Sequence, residues 1–160
     1  MKRLLTTIIL LLSVSFAFAD EFSLFPWTCG QKEVFNYCIN KGWEYSSDIS
    51  DNITTLVFKT PETVTYRNYK VYVLRFSFDK NDNLIMQTIT FSDMNKLDVC
   101  LATILDLMVA DKAHLTDKKI EKDELYYFTF NAHINDKTAA KYMFAGKNSA
   151  YQATLAYLTY

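Results

Sequence analysis

The stretch Tyr72-Val73-Leu74-Arg75-Phe76-Ser77-Phe78-Asp79-Lys80-Asn81-Asp82-Asn83-Leu84-Ile85-Met86-Gln87-Thr88-Ile89-Thr90-Phe91 decides the fold. Tyr72, Leu74, Phe76 and Phe78 alternate with Val73, Arg75 and Ser77, a period of two that marks a strand with one buried face. Asp79 to Asn83 is rich in residues that tolerate left-handed backbone, so it reads as a turn. Leu84 to Phe91 then returns as a second strand. Upstream, Leu56 and Phe58 alternate with Val57 and Lys59. After Pro61, Val64-Thr65-Tyr66 leads through Arg67-Asn68 into the quoted stretch, so the spacing predicts an antiparallel meander.

A helix is predicted before this meander. Thr28-Cys29-Gly30-Gln31 has the T-x-x-Q form of a capping box. Val34, Phe35, Cys38 and Ile39 share a face opposite Lys32, Glu33, Asn36 and Asn40, and Gly42 stops the run, giving a helix from about Cys29 to Lys41. A second helix, capped by Asp93 or Asn95, runs to about Ala110. Leu97, Cys100, Leu101, Ile104, Leu105 and Met108 are apolar there, and only Asp98, Thr103 and Asp106 form a polar stripe. A helix this apolar is expected to be central or to sit at a subunit contact. Beyond a polar segment from Ala113 to Glu124, strands are predicted over Leu125–Asn131, Thr138–Ala145 and Tyr151–Thr159.

Helix plus three strands thus occurs twice. The expected fold class is α+β: two α-β-β-β units, residues 28–91 and 93–160, forming antiparallel sheet covered by helices on one face. Setting Phe76–Phe91 against Tyr142–Tyr157 matches Phe76 with Tyr142, Phe78 with Phe144, Ile89 with Leu155 and Phe91 with Tyr157, which raises an internal duplication. In element order the chain resembles small exported β-lactamase-inhibitor proteins and short envelope domains of the BamE kind. It shares no motif with either, so the likeness is architectural and transfers no function.

The leading residues carry a separate signal. Lys2 and Arg3 precede an apolar run from Leu4 to Phe16, and Ala17-Phe18-Ala19 has the small residues of a cleavage site, so residues 1–19 read as a secretory signal peptide. Its removal takes away Lys2 and Arg3 and no acidic residue, so the formal charge goes from −1 to −3. The expected product is a single secreted or periplasmic domain, residues 20–160, with no integral membrane segment after cleavage. At 22% charged and 50% hydrophobic residues, the chain is neither disordered nor a polyanion binder, and nucleic acid is not an expected partner.

Chemistry-bearing patterns are few. Cys29, Cys38 and Cys100 allow one disulfide, Cys100 with Cys29 or Cys38, against the alternative of buried thiols. Cys29 falls in the predicted first helical turn, where the helix dipole favours a thiolate. His114 and His133 lack metal-ligand spacing, and Asp79 to Asn83 opens like a calcium loop but has Leu84 and Thr90 where Gly and Glu belong. No catalytic residue, metal or cofactor is expected. The surplus of aromatics nominates Trp27, Trp43, Tyr66, Tyr69, Tyr126 and Tyr127 as binding candidates. The expected function is a non-enzymatic interaction module for a protein or envelope component. The alternative is a small apolar-ligand carrier with a pocket between the sheet and the second helix.

Overall fold

The computed structural model describes residues 20–92, 96–122, 126–147 and 150–160. Its elements run β1 (Asp20–Glu21), α1 (Gln31–Asn40), β2 (Glu44–Ser50), β3 (Ile53–Lys59), β4 (Val64–Tyr66), β5 (Tyr69–Phe78), β6 (Leu84–Phe91), α2 (Leu97–Ala110), β7 (His114–Lys122), β8 (Tyr126–Asn135), β9 (Thr138–Lys147) and β10 (Ala150–Thr159). All ten strands join one sheet. Its long path is β2-β3-β5-β6-β10-β9-β8-β7, antiparallel throughout, with β4 pairing the first residues of β5 and β1 lying parallel to β4.

This corrects the α+β expectation of two helix-covered α-β-β-β units. The chain is mostly sheet, a large mixed one, with two helices among the described residues. Each helix is followed by an outer strand that sequence periodicity did not reveal. In β2 every residue is exposed, so Glu44-Tyr45-Ser46-Ser47-Asp48-Ile49-Ser50 has no buried face to impose alternation. The polar segment from Ala113 to Glu124 is largely β7, a charged edge strand of the kind that discourages pairing with other chains. With four long strands behind each helix, the element order on which the architectural resemblance rested does not hold.

The halves meet where β6 pairs β10. Ile89 and Leu155, which the alignment of the two halves sets on each other, are direct partners there. One strand outward the correspondence slips: Leu74 pairs Ile89 while Tyr142 pairs Leu155, so Leu74 and Tyr142 hold equivalent places. By register, then, Phe76 and Tyr142 do not hold like places on the ladder.

Register explains the core. Phe58, Leu74, Ile89, Leu155 and Tyr142 are successive cross-strand partners on β3, β5, β6, β10 and β9, and all are fully buried. Each such side chain withdrawn from water contributes about 1.5–3 kcal/mol. The next row is Leu56, Phe76, Gln87, Tyr157 and Ala140. Gln87 is tolerated in it because its amide holds the backbone of Phe25 on both sides, accepting from its N–H at 2.9 Å and donating to its carbonyl at 2.8 Å. That clamp seats the N-terminal aromatic segment, with Phe25 edge-on to Phe76 at 5.3 Å and Phe22 against Trp43 and Phe76.

α1 begins later than its sequence signal, at Gln31 rather than Cys29. Gly30 is the N-cap, Glu33 accepts from its N–H at 3.1 Å, and Asp82 of the β5–β6 turn accepts from Gln31 N–H at 2.8 Å. The cap thus comes from Glu33 and from a residue remote in sequence, not from Thr28 and Gln31. Asp79 stiffens that turn, accepting from the backbone N–H groups of Asn81 and Asn83 at 2.8 and 2.9 Å and from the Asn83 amide. The caps predicted for α2, Asp93 and Asn95, lie outside the described residues.

Candidate functional site

The densest polar constellation forms where the β4–β5 hairpin meets the end of α2. Arg67 and Asn68 both have positive φ, the two-residue turn that matches strand twist. Asp111 ends α2 with its carboxylate almost wholly enclosed, 3% exposed, 2.7 Å from the Arg67 guanidinium. Tyr142 of β9 and Tyr157 of β10 donate to its other oxygen at 2.6 and 2.7 Å. The Tyr157 hydroxyl also meets that of Tyr66 at 3.0 Å, and the Arg67 guanidinium lies over the Tyr66 ring.

Burial, reinforced by Asp111, pushes the Tyr142 phenol well above its ordinary range; burial, with Tyr66 and Asp111 beside it, does the same at Tyr157. Burial also raises Tyr66. These phenols hold their protons, and the carboxylate they serve is already paired. Chemically the cluster is a tie between the two halves. Breaking a buried pair of this kind costs about 3–5 kcal/mol, with the partial exposure of Arg67 placing this one toward the lower figure.

The nominated aromatics separate. Trp43 and Tyr66 are 5% exposed and belong to the core; Trp27 is partly buried against it. Tyr69 is half-buried and donates to Asp106 at 2.5 Å, a bond that helps push its phenol up to about 12. Tyr126 and Tyr127 begin β8, but their side chains lie outside the described residues. Trp43 and Tyr66 therefore cannot form a binding surface, and their aromatic rings serve packing. Strand periodicity could not separate the two uses, because an aromatic suits a strand on either face.

The cysteines are likewise structural. No disulfide joins Cys100 to Cys29 or Cys38; all three residues are thiols. Burial lifts Cys38 to about 12 and Cys100 to about 11, as expected of small buried hydrophobes. Cys29 precedes the helix instead of lying in its first turn, and burial together with the neighbouring Glu33 raises its thiol, the reverse of the dipole-activated thiolate expected.

Two surface features were not legible beforehand. α2 buries Cys100, Thr103, Ile104 and Leu107 against β9 and β10, so Thr103 faces inward, with its hydroxyl donating to Val99 carbonyl at 2.9 Å. Outward, one helical turn after another, stand Leu97, Leu101, Leu105 and Val109; Leu105 is 57% and Val109 77% exposed. The polar stripe of Asp98, Thr103 and Asp106 is therefore divided, with Thr103 buried and the two carboxylates exposed. Second, His114 of β7 and His133 of β8, remote in sequence, are direct cross-strand partners at an open cleft of about 390 Å³. Among the described residues no group of three His, Cys, Asp or Glu side chains is disposed to hold a metal ion.

No family model matches the chain, and no curated protein or solved structure matches it either.

Proposed function

We propose that the mature chain is an exported, non-enzymatic binding module for a protein or envelope component, and that it makes contact through the outer stripe of α2. The observation that carries this reading is the exposure of Leu97, Leu105 and Val109 on a helix whose opposite face is already satisfied by the sheet. Apolar side chains clustered along one exposed ridge are characteristic of contact surfaces, whereas scattered ones are not. The reading is also supported by the state of the reactive groups: the thiols are raised, and Asp111 is consumed by Arg67 and two phenols.

Affinity capture with mature wild type beside Leu105→Gln/Val109→Gln tests it. Both positions are exposed, and Gln is a good helix former, so the variant should keep the wild-type circular dichroism and melting profile. A partner held by wild type and lost by the variant is the expected result. A small apolar molecule copurifying with both proteins would favour the carrier instead. Equal capture by both proteins, or none, would contradict the reading.

A further inference from the structure

We propose that His114 and His133 form a binding site for a divalent transition-metal ion of the zinc class, held by two imidazoles with solvent completing its coordination. Three observations converge. First, the residues are direct partners across the β7–β8 ladder, which brings their Cβ atoms to about 4.5–5.5 Å and their rings to one face of the sheet. Two imidazole nitrogens, each about 2.0–2.1 Å from a shared ion, can be reached from that separation by ordinary rotamers.

Second, the Tyr160 hydroxyl lies 2.9 Å from Nδ1 of His133. Its own backbone N–H is bonded to Lys137 carbonyl at 3.3 Å, which ties Tyr160 to the β8–β9 turn, and its ring lies 5.7 Å from that of His133. In the tautomer whose Nδ1–H donates to this oxygen, Nε2 carries the lone pair. Metal-binding imidazoles are fixed in this way, their second nitrogen engaged by an oxygen that sets tautomer and orientation. Third, the pair opens onto the cleft of about 390 Å³, whose wall also includes Asn135 and Asp136. Both histidines are exposed, and β7 is an edge strand, so an ion and its waters have access. The acidic wall residue adds charge of the right sign. Imidazole pairs suit zinc, copper and nickel, not the oxygen-preferring calcium or magnesium.

The test uses tag-free mature protein and Zn²⁺, followed by calorimetry and by the imidazole ¹⁵N resonances of both histidines. One ion per chain is expected, with both imidazoles shifting together. His114→Gln and His133→Gln should each weaken binding by at least about tenfold, and Tyr160→Phe, which keeps both ligands and removes only the orienting oxygen, by about tenfold. Magnesium should produce no shift. Circular dichroism of each variant confirms that the sheet is intact. Binding that is unchanged in both histidine variants would place the ion elsewhere. The absence of a zinc-dependent shift, or a shift of one imidazole alone, would equally overturn the site.

Discussion

Asp111 condenses what single residues do in this protein. It sits at the C-terminal end of α2, where a negative charge is unfavourable to the helix dipole, yet it is buried. Arg67 from the other half offsets that cost, and the phenols of Tyr142 and Tyr157 complete its hydrogen bonding. Because those phenols are raised above their unfolded-chain value of roughly 10, their contribution to stability is complete below that pH. It is lost as pH rises through the native values, since the unfolded chain ionises first. Urea unfolding between neutral and strongly alkaline pH should therefore show stability falling above roughly pH 10, each retained proton adding up to about 1.4 kcal/mol per pH unit. Tyr142→Phe/Tyr157→Phe should start from lower stability and fall less steeply; equal slopes for the two proteins would count against the assignment.

At the scale of elements, the β5–β6 turn does two jobs, and only one was legible. Asp79 to Asn83 announced a turn by composition, and Asp79 indeed gathers backbone and side-chain donors, which holds its carboxyl below the ordinary range. That Asp82 in the same turn caps α1 is a long-range fact, invisible to a local capping rule. Asp82→Ala should cost about 1 kcal/mol, as loss of a cap does, with faster amide exchange confined to the first turn of α1. A wild-type exchange profile there would show that Glu33 suffices. The same distinction separates the strands that were read from those that were missed. β5 declares its buried Leu74, Phe76 and Phe78 in a period of two, and β6, buried at every residue from Gln87 to Phe91, declares itself by its apolar and β-branched content. β2 and much of β7 are exposed on both faces, so nothing in their order of residues distinguishes a strand from a loop. In α2, apolar residues on both sides concealed which face met the sheet, and with it the exposed stripe.

In the molecule as a whole, the two halves share one sheet, joined edge to edge through β6 and β10, with a single core cluster running across the seam. That helices precede runs of strands was readable, though not as two helix-covered units, and an alignment of Ile89 with Leu155 was readable too. Their direct pairing was not, because no local pattern says which strand of one half meets which strand of the other. The His114–His133 pairing was hidden for the same reason, being a consequence of register between strands whose periodicity is weak. Hydrogen–deuterium exchange of the native protein tests this shared sheet. With partners on both sides, Leu84–Phe91 and Ala150–Thr159 should be the slowest-exchanging segments, and the edge strands Glu44–Ser50 and His114–Lys122 the fastest among the strands. Rapid exchange along Leu84–Phe91 and Ala150–Thr159, at the rate of those edges, would mean that the seam does not exist.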